Sequence, residues 1–468
     1  MSLYKLFLPI LSIAVPFSSS YADNNNLVAS LDSIVEKGLP PGTDISIQVW
    51  DLDGDSAIYG YRENVLNRPA STMKILTAYT ALKTLGSGYT FQTNLMTDGV
   101  IENDSTLNGN LYLVGGLDPQ LMENDLKKMV LDLKSKGIRT INGKVIADVS
   151  MMDSIYWGPG WAWDDTPSSF QPYISPLMVH GGFIGISVKP GQKGMPPVVS
   201  TFPDSKYYNI DNRAVTGDNS LGTLTIRRNW LENDNTIIIS GNSAKGTSKE
   251  QNIFNSGEFT FALFREYLEE GGIGFTDYEK GLCPDSAIYI TSARHSLLSV
   301  LDEALKESVN LNAEALFLQS VRSSGKVKTN FSKAAEFEEL FIKKNIKPGS
   351  QPFHIADGSG LSMYDYIPAS LFVSVLRSIY KDSELYKIIY GSLPISGKDG
   401  TLKNRMKDKG MTGRIHAKTG TVTGACTLAG YASSSHGRTF AFCIMNSGAV
   451  TIKDSRKVQD EICTLLCK

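Results

Sequence analysis

Asn67-Arg68-Pro69-Ala70-Ser71 leads into Thr72-Met73-Lys74, and apolar residues at 73, 76, 79 and 82 then mark one face of a helix running to Leu85. Ser71 and Lys74 stand three apart at the start of that helix, a spacing that puts both on one face with Cβ atoms about 5–6 Å apart. A serine hydroxyl needs an adjacent base to act as a nucleophile. A lysine serves if its pKa falls from about 10.4 towards 7, and burial or a neighbouring cation is the physical means. The spacing alone says little, because Ser2/Lys5, Ser323/Lys326 and Ser378/Lys381 repeat it. Only Ser71 begins a helix close behind a proline.

Two further short segments carry compatible chemistry. Ser308-Val309-Asn310 reads as a turn between helices, where a hydroxyl that relays a proton and an amide that holds a substrate point the same way. Ser240-Gly241-Asn242 has the same spacing, and an ordinary polar turn is the plain alternative. Lys418-Thr419-Gly420 occurs once, at the end of an alternating, edge-type strand over 414–419. That strand would present Lys418 and Thr419 along the rim of a cleft, and Gly420 would let a substrate backbone lie close.

The rest of the chain limits what these groups can belong to. It has 468 residues, 46 Lys+Arg against 48 Asp+Glu, a net charge of −2 and 41% apolar residues. That is long enough for several domains and gives no electrostatic case for nucleic-acid binding. No apolar run is long enough for a spanning helix. Lys5, the apolar run Leu6–Phe17 and Ser20-Tyr21-Ala22 read as a secretory signal peptide over 1–22. Five cysteines are too few for a disulfide scaffold; Cys426 and Cys443 could face each other across a hairpin but read better as small buried residues. The histidines lack metal-ligand spacing, so no metal is expected. Asp51, Asp53 and Asp55 imitate the start of a calcium loop, but Ser56 occupies the required glycine position, and Asp53-Gly54 is read as a hairpin turn between Ile45–Val49 and Ile58-Tyr59.

Along the chain, helix Leu27–Lys37, the hairpin and the Ser71 helix come first. From about 88 to 285 strands alternate with Gly/Asn/Asp turns, around one βαβ unit made by 111–114, a helix over about 123–136, and 145–147. Helices return through Leu297–Ser320 and Ala335–Lys343, followed by strands at 414–419, 426–432 and 439–445 and a helix over about 453–466. The two ends match in character and the middle does not, which suggests one domain built from both ends around an insertion.

In order, Ser-x-x-Lys, Ser-x-Asn and Lys-Thr-Gly resemble the motif set of the penicillin-recognising serine acyl transferases. The long separation of Ser71 from Ser308 is similar to that of the D-alanyl-D-alanine carboxypeptidase/endopeptidase family, the class C penicillin-binding proteins of the penicillin-binding protein 4 type. Arg68-Pro69-Ala70-Ser71, Asn310-Leu311-Asn312-Ala313-Glu314, Asp357-Gly358-Ser359-Gly360-Leu361-Ser362 and Gly160-Trp161-Ala162-Trp163-Asp164-Asp165 resemble further segments of that family. The resemblance implies an α+β fold: a β-lactamase/transpeptidase-like domain, with an antiparallel sheet between helices, from 23–87 plus 287–468. The mainly β insertion would span 88–286, contain the βαβ unit, and include a separate subdomain near 98–175.

It further implies a periplasmic or cell-envelope enzyme, sensitive to penicillin, that acts on peptidoglycan stem peptides without cofactor, metal, nucleic acid or transmembrane anchor; homodimer formation is left open. Ser71 would attack the carbonyl between two D-alanines and Lys74 would take its proton. Ser308, supported by Lys418, would protonate the leaving amine. Asn310 would bind the acyl side, Lys418 and Thr419 the terminal carboxylate, and the N–H groups of Ser71 and Thr421, beside Gly420, the oxyanion. Asp165, Phe170 and Arg405 match residues that grip a diaminopimelate side chain. Thr423 and Asp365 depart from the family pattern, where Gln and Asn stand. His416 reads as a rim side chain. A Ser-His-Asp hydrolase is disfavoured because no Gly-x-Ser-x-Gly occurs, and a β-lactamase would not need the insertion. A secreted peptidoglycan- or β-lactam-binding protein with little turnover is the remaining alternative.

Overall fold

Asp53-Gly54 turns the chain between strands Asp44–Asp51 and Ser56–Tyr61, which pair antiparallel. In the computed structural model, which describes residues 18–102, 105–325, 327–348 and 351–468, this hairpin joins three C-terminal strands in one antiparallel sheet. The order across it is Ile415–Val422, Gly424–Ser433, Thr439–Ala449, Asp44–Asp51, Ser56–Tyr61. Ile415–Val422 is therefore an edge strand. Alternation along Thr439–Ala449 decides the layering. Phe440, Phe442 and Ile444 pack with Leu31, Val35, Val458 and Ile462 of the first and last helices. Ala441, Cys443 and Met445 point the other way, into a core shared with helices Lys74–Leu85, Leu297–Lys306 and Asn310–Ser320. The sheet thus lies between two helical layers, as expected.

Asp51, Asp53 and Asp55 each meet a donor of the protein itself. Asp51 pairs with Arg438 at 2.6 Å, Asp53 accepts the Thr439 N–H at 2.7 Å, and Asp55 meets Arg377 and Lys381. All five cysteines are free. Of the expected leader, residues 1–17 lie outside the described residues, and the first helix begins at Ser18.

The insertion has its own core. Strands Leu111–Val114 and Thr140–Asp148 are parallel and joined by helix Glu123–Ser135, the expected βαβ unit. The seven-stranded sheet around them also contains Thr90–Thr97 and, antiparallel beside it, Ile288–Ser296. The chain therefore returns to the outer domain after Ser296, ten residues later than the 286/287 boundary. Residues 98–175 are not a closed unit either, because strand Gly274–Lys280 pairs with Thr140–Asp148.

Three helices were not anticipated: Ser256–Glu270, Ala369–Lys381 and Ser383–Ser392. Phe259, Phe261 and Phe264 make the first look like a strand by propensity. All three rings are buried in the insertion's core, and Asn255 caps the helix by accepting the Glu258 N–H at 3.3 Å. The second does carry a helical stripe, at Leu371, Phe372, Val375, Leu376 and Ile379.

Phe442 is fully buried where the sheet meets the first and last helices. Phe442→Ala is expected to lower stability by about 3–5 kcal/mol, measured by urea unfolding. A loss below about 1 kcal/mol would mean the outer helices do not pack there.

Candidate active site

Ser71 sits on a 3-10 turn, Ala70–Met73, that passes directly into helix Lys74–Leu85. Ala70 is held at φ +46°, a conformation that costs a non-glycine residue free energy. The turn is braced from two sides. A Cβ on Gly360 (φ +78°) would strike the Ala70 carbonyl, so that loop can lie against the turn only as glycine. A Cβ on Gly420 would come within 2.9 Å of both Ser71 N and Pro69 O. Gly420 is thus required by the strand's approach to the Ser71 turn.

Lys74 is 1% exposed. Its Nζ donates to Ser71 Oγ at 2.8 Å, Asn310 Oδ1 at 2.7 Å and the Ser359 carbonyl at 2.9 Å. Burial pushes its pKa down to about 7, against the opposing pull of the Asp357 and Glu314 carboxyls. An amine with that pKa, in contact with a hydroxyl, can accept the hydroxyl proton near neutral pH.

The second hydroxyl arrives from the other side. Ser308 lies between helices Leu297–Lys306 and Asn310–Ser320 at φ +65°, and its Oγ accepts from Lys418 Nζ at 2.8 Å. Lys418 is fully buried and also donates to its neighbour's carbonyl, Thr419 O, at 2.9 Å. Burial, and then the charge of Lys74, hold its pKa well below the usual lysine value. This corrects one expectation: Lys418 is not a rim cation, and its Nζ faces Ser308 from beneath. Thr419, half-buried, meets Thr401 hydroxyl to hydroxyl at 2.8 Å, and the Thr421 hydroxyl, exposed, lies 3.5 Å from Arg456 Nη2.

Asn310 joins the outer domain to the insertion: Oδ1 accepts from Lys74 and Nδ2 donates to the Phe170 carbonyl at 2.9 Å. Phe170 therefore meets the site through its backbone, with its ring 48% exposed. Asp165 is half-buried on a short 3-10 turn, and burial, then Asp164, raise its pKa. Arg405 spends its guanidinium on groups of the protein itself. Its Nε and Nη2 bind Asp460 Oδ1 at 3.0 and 2.6 Å and Nη2 reaches Gln459 at 3.1 Å, so it ties its loop to the last helix. His416 stacks on Tyr390 at 3.8 Å between ring centroids, away from the reacting groups.

Glu314 had no role assigned from sequence. Its two oxygens accept the N–H groups of Gly358 and Ser359, each at 2.9 Å. The same two residues turn their carbonyls to Thr77 Oγ1, at 2.8 Å, and to Lys74. Asp357 fixes the rest of this loop by accepting from Gly360 N, Ser362 N and Trp161 Nε1. The signal was present: Glu314 stands at i+4 from Asn310 on one helix. Burial and the Asp357 charge raise the pKa of Glu314 to about 8. Asp365, the departure from Asn, is also fully buried; it accepts the Ala356 N–H at 2.7 Å, and its pKa is pushed well up by burial and by Asp357. A protonated carboxyl, like an amide, offers one donor and one acceptor, so the loop tolerates the exchange.

Glu314→Gln replaces one acceptor with an amide N–H facing another N–H, so the loop must turn and Lys74 loses the Ser359 carbonyl. The rate at which Ser71 is labelled by a fluorophosphonate reagent should fall about a hundredfold, with the fold intact by circular dichroism. An unchanged rate would remove Glu314 from the account of the site.

A family model described as the D-Ala-D-Ala carboxypeptidase 3 (S13) family matches residues 27–468. A D-alanyl-D-alanine carboxypeptidase of Actinomadura sp. (strain R39) is 29% identical over 450 residues, covering 92% of this chain and 82% of that protein. The D-alanyl-D-alanine carboxypeptidase DacB of Haemophilus influenzae is 25% identical over 444 residues, covering 92% and 90%. In fold, the chain is similar to the crystal structure of penicillin binding protein 4 from Haemophilus influenzae, with a TM-score of 0.82 at 24% identity over 92% of this chain and 97% of that one. With a match that spans both halves of the outer domain and the insertion between them, the chain belongs to the D-Ala-D-Ala carboxypeptidase 3 (S13) family.

Proposed function

We propose that the protein is a serine-type D-Ala-D-Ala carboxypeptidase or DD-endopeptidase of the cell envelope that works through an acyl-enzyme on Ser71. The observation that carries this reading is the pair of buried lysines, each in contact with one hydroxyl of the cleft. Lys74, as the neutral amine, takes the Ser71 proton while Oγ attacks the carbonyl carbon of the penultimate D-alanine. The backbone N–H of Ser71 and that of Thr421 bind the resulting oxyanion; the tight approach of Gly420 to Ser71 N supports this. The C–N bond then breaks, and Ser308, backed by Lys418, supplies the proton that the leaving D-alanine amine needs. Ser308 recovers its proton from the Lys74 ammonium, so Lys74 is neutral again when water attacks the ester; Lys74 takes the water proton and returns it to Ser71 Oγ as the ester C–O bond breaks.

Lys418 is committed to Ser308, so direct contact with the terminal carboxylate falls to the Thr419 hydroxyl, with the Arg456 guanidinium beside Thr421. Asn310 orients the acyl chain through the second proton of its amide. Asp165 and the Phe170 ring flank the path of the stem peptide. No metal or cofactor enters any step, and β-lactams would acylate Ser71 as substrate mimics. No helix among the described residues is long and apolar enough to cross a membrane.

Intact-mass measurement after brief exposure to a penicillin should show one adduct per chain, absent from Ser71→Ala. A pentapeptide ending in D-Ala-D-Ala should release D-alanine. Adduct without release would leave a binding protein; neither would refute the reading. The rate of acylation should rise with pH through about 7 and then level, because the base is Lys74 without its proton. A rate flat from about pH 5.5 to 8.5 would contradict that assignment.

A further inference from the structure

Three strands of the insertion, Thr247–Asn252, Phe183–Lys189 and Val198–Phe202, form a small antiparallel sheet. Its register sets Ser248, Ser187 and Ser200 side by side in one row, and Glu250, Gly185 and Phe202 in the adjacent row on the same face. Side chains alternate between faces along a strand. Ile184, Ile186 and Val188 fill the insertion's core, so both rows face solvent.

Over this face lies a trough of 680 Å³. A second cavity of 630 Å³ is lined by Phe170, Ser308 and Asn310. Ser169 and Glu250 line both, so the trough adjoins the space beside Ser308 and Asn310. Each is within the range of about 300–1,000 Å³ typical of small-molecule sites.

The lining selects the chemistry of the occupant. The one cation among the trough's described lining residues, Lys249, turns its Nζ to the Ile226 carbonyl at 3.0 Å. Glu250 would repel a carboxylate and can accept hydroxyl protons. Ser187, Ser200 and Ser248 add donors and acceptors. The Phe202 ring, 46% exposed and held edge-on by His180 at 4.9 Å, gives an apolar face of the size of one sugar ring. Gly185 leaves the floor bare between Glu250 and Phe202. A peptide extending a sheet pairs along a strand edge, whereas this face has only side chains to offer. A neutral ring bearing hydroxyls on its rim and C–H groups on its faces satisfies every group present.

We propose that this trough is a glycan subsite, holding the neutral sugar chain to which the stem peptide is attached while the peptide's end lies at Ser71. The proposal rests on the peptidase reading for the identity of that peptide. It makes the insertion a recognition element for wall-borne substrate.

The test compares a free pentapeptide ending in D-Ala-D-Ala with the same peptide carried on a muropeptide disaccharide, using the full chain and two solvent-face variants, Ser187→Trp and Phe202→Ala. Wild-type protein should bind the disaccharide form about tenfold more tightly by calorimetry. Both variants should lose that preference while binding and cleaving the free peptide within about twofold of wild type. Equal binding of the two ligands by wild type, or a preference retained in both variants, would overturn the subsite. Failure to cleave either substrate would instead overturn the peptidase reading, and the calorimetric comparison would still decide the trough.

Discussion

Burying the amine of Lys74 among three oxygen acceptors is the constraint on which the rest depends. Moving a lysine pKa from 10.5 to about 7 corresponds to about 5 kcal/mol of differential stability between its two protonation states. That disfavour of the charged form is what makes an ordinarily cationic side chain a base, and only a rigid, water-poor pocket maintains it. The pocket is assembled from distant parts of the chain: the nucleophile turn, Asn310 on a central helix, and the 357–362 loop clamped by Glu314 and Asp357. Lys418 arrives from the sheet edge, equally buried, so that two buried lysines each meet one partly buried hydroxyl.

The architecture explains why these parts meet. The Ser71 helix lies in the layer packed against one face of the five-stranded sheet, so its N-terminal turn reaches the edge strand that carries Lys418. The break at Ser308 separates two helices of the same layer and leaves its hydroxyl over Lys418. The insertion is anchored to this centre by the hydrogen bond from Asn310 to the Phe170 carbonyl. A change of pose in the insertion would therefore be felt by the amide that holds Lys74.

Much of this could be read before any coordinates. The i, i+3 spacing of Ser71 and Lys74, the turn at Ser308 and the strand at 439–445 depend on local geometry, which sequence encodes directly. What escaped was set by distant partners. The sequence shows a lysine at 418 but not that its amine turns inward. It shows an arginine at 405 ahead of the Lys-Thr-Gly strand but not that Asp460, on the last helix, claims it. The sequence shows a glycine at 420 but not that the chain's own Ser71 turn lies against it. Strand Ile288–Ser296 was assigned to the wrong side of the boundary because its partner, Thr90–Thr97, lies at the far end of the insertion. Beyond its i+4 spacing from Asn310, Glu314 gave no sign of its role, since a carboxyl group that binds backbone N–H groups leaves no motif at its partner.

The most direct test is titration of Lys74 itself. With lysine carbon-13 labelled at Cε, the resonance lost in Lys74→Arg should titrate near pH 7, several units below the ordinary lysine value. A midpoint near 10.5 would show an amine that stays protonated through the neutral range, and Lys74 could not be the base that activates Ser71.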